Sequence, residues 1–92
     1  AQVRELIKTQ RPILASGLRA LGLRVIEGRA NYLLFRAPEA LGEALRRKGA
    51  VLRSCGNYPG LDASWYRTAV RTENENRQLL ALLAETLPEV AQ

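Results

Sequence analysis

Between Arg53 and Arg67 the chain reads Arg-Ser-Cys-Gly-Asn-Tyr-Pro-Gly-Leu-Asp-Ala-Ser-Trp-Tyr-Arg, a run whose turn-forming residues leave few ways to connect what flanks it. Asn57, Pro59, Gly60 and Asp62 each favour a bend, by left-handed tolerance, a fixed φ or a side-chain bond to the backbone. A short strand therefore enters the loop, the chain turns, and a second strand leaves it, which sets Arg53 and Arg67 side by side. Guanidinium groups present donors in a planar fork that matches a carboxylate or a phosphate, so a pair of them suits a ligand carrying both groups.

The remaining elements are predicted from periodicity. Val3, Leu6, Ile7, Ile13, Leu14, Leu18 and Leu21 recur at three- and four-residue spacings, giving an amphipathic helix from near the start to about Leu21, closed by Gly22. Pro12 falls inside it and predicts a kink there, or one helix ending and a second beginning. Leu23–Glu27 and Asn31–Arg36 read as adjoining strands joined by Gly28-Arg29-Ala30. A helix starting at Pro38 carries Ala40, Leu41, Ala44 and Leu45 on one face and ends at Gly49, after the cations Arg46, Arg47 and Lys48. Ala50–Arg53 reads as a third strand and Trp65–Arg71 as a fourth, with Trp65, Arg67, Ala69 and Arg71 on one face and Tyr66, Thr68 and Val70 on the other. Thr72 and Glu75 form a capping box for a last helix with Leu79, Leu80, Leu82, Leu83 and Leu87 on its apolar side. The expected fold is α+β: a small, antiparallel-rich sheet of about four strands packed against three helices.

Composition bounds the chemistry. With 92 residues the chain is long enough for one modest domain, residues 1–92. It begins with alanine inside a helical pattern and holds no methionine, so it is expected to be a fragment of a larger protein. Cys55 stands alone and there is no histidine, which argues against a disulfide framework, a Cys-His nucleophile and a transition-metal site; Cys55 is read as a packed loop residue. No apolar run approaches the roughly 20 residues that span a bilayer, and no signal-peptide pattern opens the chain, so a cytoplasmic location without membrane contact is the expectation. The net charge of +5 rests on arginine: of 14 cationic residues only Lys8 and Lys48 are lysines. Because those arginines are scattered over helices and strands without interleaved aromatics, nucleic-acid binding is not the favoured reading.

The run from Arg53 through Asp62 to Trp65-Tyr66-Arg67-x-Ala69-Val70-Arg71-Thr72-x-x-x-Asn76 resembles the C-terminal end of the threonine-phosphate decarboxylases, pyridoxal-phosphate lyases of cobalamin synthesis. Asn31-Tyr32-Leu33-Leu34 and the Arg-x-x-x-x-Thr-x-x-x-Asn ending are similar to those of the wider histidinol-phosphate aminotransferase group. The resemblance covers nearly the whole chain and is most specific from Ser54 to Asp62. It implies the C-terminal subdomain of the fold-type I aminotransferase architecture, with the large domain of the same enzyme holding pyridoxal 5'-phosphate and its lysine, and a homodimer at full length. Lys8 and Lys48 are read as solvated surface residues, so no catalytic residue is expected in these 92 residues.

By the same resemblance Arg67 is implied as the partner of the substrate α-carboxylate and Arg53 as the ligand of its phosphate, the substrate being a phosphorylated amino acid. Asn31, Asn57 and Tyr58 are candidates for a supporting role around that site, with turn formation the favoured reading of each. Arg71 is set aside, its expected role being a local pairing with Glu73 or Glu75. Two alternatives stay open: the same subdomain in a histidinol-phosphate aminotransferase, and a stand-alone α+β module binding RNA or a small ligand.

Overall fold

The computed structural model describes residues 2–27, 31–56 and 59–90, the side chains of Gln2 and Val3 excepted. Three helices and four strands follow one another as α1 (Gln2–Ala20), β1 (Arg24–Glu27), β2 (Tyr32–Arg36), α2 (Leu41–Arg47), β3 (Arg53–Ser54), β4 (Trp65–Ala69) and α3 (Glu73–Val90). The strands form one antiparallel sheet in the order β1-β2-β4-β3. The α+β layout is therefore the one that the residue pattern predicts. Among the described residues no helix is long and apolar enough to cross a membrane.

Strand alternation divides the sheet into two unlike faces. Val25, Leu33, Phe35, Tyr66 and Thr68 point to the helices, where Leu33 and Phe35 are fully buried with Leu14 and Leu18 of α1, Leu41 and Leu45 of α2, and Leu83 of α3. The other face carries Arg24, Arg36, Arg53 and Arg67 together with Ile26, Leu34, Trp65 and Ala69. All three helices contribute to the one core, so the arginine-bearing face is left outside the helix layer.

Two glycines end helices by the same device. Gly22 (φ 86°) and Gly49 (φ 89°) adopt the left-handed conformation that a side chain resists. Each closes a pair of bonds: Gly22 N–H to Arg19 C=O with Leu23 N–H to Leu18 C=O, and Gly49 N–H to Arg46 C=O with Ala50 N–H to Leu45 C=O. The orphan carbonyls at those helix ends are thereby satisfied.

Of the two outcomes expected at Pro12, the break does not occur: helix α1 runs through it as one element, its buried Leu14, Ala15 and Leu18 outweighing one missing donor. Three local expectations are corrected. Pro38 does not begin α2 but a turn before it, in which Leu41 N–H bonds Pro38 C=O, so the helix is shorter than its apolar pattern. Strand β3 is only Arg53–Ser54. Ala50, Val51 and Leu52 join no strand ladder, and Val51 is 81% exposed, because the chain leaving Gly49 joins β4 only at Arg53. Strand β4 stops at Ala69 rather than Arg71, because the Arg71 peptide bonds a side chain instead of a strand, as described below. The link Gly28-Arg29-Ala30 lies outside the described residues.

Lys48 differs more in kind. Read as a solvated surface residue, it instead donates to Glu85 (3.0 Å) and Glu89 (2.7 Å) and to the buried Thr86 hydroxyl (3.2 Å), tying the end of α2 to α3. Glu89, hydrogen-bonded to it, raises the Lys48 pKa above its ordinary 10.5, against a smaller cost of desolvation.

Tyr66 joins sheet to α2. Its ring stacks on Phe35 with centroids 5.8 Å apart, while its hydroxyl donates to the carbonyls of Glu39 (2.9 Å) and Pro38 (3.2 Å) and accepts from Gly42 N–H (3.1 Å). Replacing Tyr66 by Phe keeps the stack and removes the hydroxyl's bonds to Glu39 C=O and Gly42 N–H, while Pro38 C=O retains its bond from Leu41 N–H. Tyr66→Phe is expected to lower the unfolding free energy by about 1 to 2 kcal/mol, read from denaturant titration; an unchanged midpoint would show that water replaces the hydroxyl.

Candidate anion-binding site

The site begins with a strand register. Arg53 on β3 stands directly opposite Arg67 on β4, and Ser54 opposite Tyr66. Directly opposed residues in an antiparallel pair hold their Cβ atoms about 5 Å apart, and like charges so placed repel unless something lies between them. Two cations across one ladder rung are thus arranged for an anion.

The loop that turns β3 into β4 is built from its own side chains. The Asp62 carboxylate accepts from the Ser64 amide (2.9 Å) and from the Ser64 hydroxyl, and Trp65 N–H bonds Asp62 C=O (3.2 Å). Those Ser64 bonds hold the Asp62 carboxyl below its usual range. Cys55, fully buried, donates its N–H to Trp65 C=O at 2.8 Å and extends the β3–β4 pairing by one residue. Burial raises the thiol pKa and the nearby Arg67 partly offsets this, which fits the packed loop residue that the sequence suggests.

Continuing the register backwards would set Leu52 against Thr68 and Val51 against Ala69, but there the strands part. A recess of about 460 Å³ opens in the gap, lined by Arg53, Arg67, Asn31, Arg71, Glu75 and Asn76 among others. The Arg67 guanidinium lies over the Tyr32 ring, 5.3 Å from its centroid, a cation–π contact that orients the fork. Asn31 sits at the rim, its carbonyl accepting from Val70 N–H (2.9 Å) to prolong the β2–β4 ladder.

Three of the residues singled out from sequence, Arg53, Arg67 and Asn31, therefore meet at one recess, while Asn57 and Tyr58 lie outside the described residues. Two others escaped the sequence reading. Arg71, set aside for a local role with Glu73 or Glu75, does act electrostatically on Glu75 but also lines the same recess; Glu73 pairs with Arg77 (2.6 Å) and Glu75 is hydrogen-bonded by Thr72. Asn76, 3% exposed, uses its carboxamide to accept from Arg71 N–H (3.1 Å) and to donate to Arg71 C=O (2.9 Å) and to Gln10 (3.3 Å). The only signal for it was the Thr-x-x-x-Asn spacing after β4.

Aminotransferase class I and II is the family whose profile matches residues 1–83. The chain belongs to that family. Among curated relatives of this class I and II aminotransferase chain, threonine-phosphate decarboxylase of Salmonella typhimurium is 44% identical over 72 residues, 75% of this chain and 20% of that protein. Histidinol-phosphate aminotransferase of Methanothermobacter thermautotrophicus is 40% identical over 82 residues, 82% of this chain and 22% of that protein. The crystal structure of the histidinol-phosphate aminotransferase from Clostridium acetobutylicum superposes with a TM-score of 0.81 at 31% identity, over 90% of this chain and 27% of that one. The chain thus spans about a fifth of the length of the curated relatives it matches.

The Thr72–Glu75 capping box closes the recess on the α3 side: Glu75 N–H donates to the Thr72 hydroxyl (3.2 Å), which itself donates to the Glu75 carboxylate (2.9 Å). That side-chain bond, followed by one from Thr72 N–H, holds the Glu75 carboxyl below its ordinary 4.5. A depressed carboxylate pKa contributes stability that is present above the unfolded value and lost as pH falls through the folded one. Glu75→Gln is therefore expected to have a lower unfolding midpoint than wild type at neutral pH, with the difference shrinking as pH drops below 4.5. A difference that is the same at both pH values would assign the cap to the hydroxyl alone.

Proposed function

We propose that the chain is the C-terminal, substrate-gripping part of a pyridoxal-phosphate-dependent L-threonine O-3-phosphate decarboxylase, forming (R)-1-amino-2-propanol O-2-phosphate for cobalamin synthesis. The observation that carries the reading is the Arg53–Arg67 register pair opening on one recess. The identity to a named threonine-phosphate decarboxylase, 44% over 72 residues, supports the choice of substrate. In this reading Arg67 holds the α-carboxylate and Arg53 the phosphate. Each charge-assisted hydrogen bond contributes roughly 1.5 to 3 kcal/mol, and the planar fork fixes direction as well as distance.

Pyridoxal phosphate supplies electron withdrawal, and the protein selects which bond at the α-carbon breaks by how it holds the substrate. The described lysines do not fit the bond to that cofactor. Lys48 is held cationic between Glu85 and Glu89, and Lys8 lies exposed on α1. The reading therefore leaves cofactor, catalytic lysine and dimer contacts to the large domain of a longer enzyme, and gives this chain the orientation of the carboxylate.

The test uses the intact protein with pyridoxal phosphate and O-phospho-L-threonine and no keto acid, following CO₂ and aminopropanol phosphate. Arg67→Ala is expected to lower kcat/KM by roughly a hundredfold or more and Arg53→Ala by a comparable factor, mostly through KM, one bidentate contact being lost in each. A second reading is favoured by the 40% identity to a histidinol-phosphate aminotransferase and the TM-score of 0.81 to another. No CO₂, but amino transfer from histidinol phosphate to 2-oxoglutarate, would select it and leave both arginines as anion ligands.

A further inference from the structure

The recess holds a third arginine. Arg71 lines it beside Arg53 and Arg67, and among the described residues the acid lining it is Glu75, whose carboxylate is engaged by the Thr72 amide and hydroxyl. Among the described residues no hydrogen bond or ion pair of the Arg71 side chain is found, although its charge contributes to depressing the Glu75 pKa. The Arg71 backbone, by contrast, is fixed at both N–H and C=O by the buried Asn76 carboxamide, which Gln10 of α1 anchors in turn. An exposed guanidinium thus stands on a fixed backbone at the edge of an arginine-lined gap. Like charges gathered in one recess favour an anion among them.

Donor geometry says which anion. Arg53 and Arg71 line the recess together, and two guanidinium forks suit the several acceptor oxygens of a phosphate better than the two of a lone carboxylate. We propose that Arg71 is a specificity-determining ligand of the substrate phosphate, acting with Arg53 while Arg67 takes the carboxylate, and that Asn76 is the positioning residue that holds Arg71 there. This rests on the reading of the recess as a site for a phosphorylated amino acid. It accounts for the placement of Arg71 and for a buried asparagine spent on one peptide unit.

The experiment compares wild type, Arg71→Ala and Arg71→Lys in the intact protein by two readouts. The first is KM and kcat for O-phospho-L-threonine beside the inhibition constant of L-threonine, which lacks the phosphate. The second, independent of any turnover, is the dissociation constant of inorganic phosphate by calorimetry. Arg71→Ala is expected to raise KM and to weaken inorganic phosphate by about tenfold, the weight of one solvent-accessible charge-assisted bond, while leaving kcat and the L-threonine constant unchanged. Arg71→Lys should recover part of the loss. Should the wild type fail to decarboxylate phosphothreonine, the decarboxylase reading falls, and the phosphate titration still decides Arg71. Phosphate binding that is absent in wild type, or equal in wild type and Arg71→Ala, overturns the proposal, as does an equal loss for L-threonine. Asn76→Asp, which keeps the acceptor for Arg71 N–H and loses the donor to its C=O, is expected to shift the phosphate constant the same way; a fall in thermal stability with that constant unmoved would leave Asn76 a purely structural residue.

Discussion

The structure depends on one carboxamide. Where β4 ends, the peptide of Arg71 has no neighbouring strand to take its N–H and C=O, and a buried peptide left in that state costs free energy. Asn76 offers the same donor–acceptor pair as a backbone amide and replaces the missing strand, with bonds of 3.1 and 2.9 Å. Its remaining donor reaches Gln10, itself 5% exposed, so a single side chain on the first turns of α3 joins the end of the sheet to the middle of α1. At the other end of β4, the Tyr66 hydroxyl does the equivalent for the turn into α2. Both pins act from the helix side of the sheet. Arg67 on the opposite face is thereby carried on a strand that cannot tilt or slide without breaking buried bonds.

That division of labour also explains where the charge goes. On the helical side, acid and base are matched in space: Glu27 of β1 with Arg11 and Arg19, Glu43 with Arg47, Glu73 with Arg77, and Glu85 and Glu89 with Lys48. Pairs of this kind, mostly exposed, add little stability. Their consequence is positional, because they cancel charge on the helical side and leave Arg24, Arg36, Arg53 and Arg67 gathered by strand parity on the outer face. Arg36 is steadied there by Ser64 (3.2 Å), which links it to the Asp62 loop. A net charge of +5 that looks diffuse in sequence is thus concentrated in space.

Elements specified by local chemistry were legible before the fold was known. Gly22 and Gly49 stop helices by backbone conformation, Thr72 and Glu75 start one by reciprocal bonds, and period-two alternation put Tyr66 inward and Arg67 outward. What stayed hidden depends on partners distant in sequence. Lys48 looked solvated because Glu85 and Glu89 lie 37 and 41 residues away. Val51 and Leu52 have strand composition, yet composition does not reveal that their would-be partners sit across an open recess. Arg71 was assigned to nearby glutamates on sequence proximity, and its environment is set by an asparagine whose spacing was visible but whose burial was not.

Register also constrains what the pair of arginines can hold. Opposed residues on adjacent antiparallel strands have Cβ atoms about 5 Å apart, a separation that the ladder hydrogen bonds keep fixed. In O-phosphothreonine the carboxylate and the phosphate are borne on neighbouring carbons, so the two anions lie only a few bonds apart. Anchors on separate helices or loops would have to be brought to that spacing by packing alone, whereas one rung of a ladder supplies it by hydrogen-bonded strand geometry. Lysines at the same positions would keep the charge but lose the fork that fixes how the carboxylate plane is turned. In the proposed reading, where that turn decides which bond at the α-carbon is aligned to break, the rigidity of β4 and the choice of arginine at Arg67 belong to the same requirement.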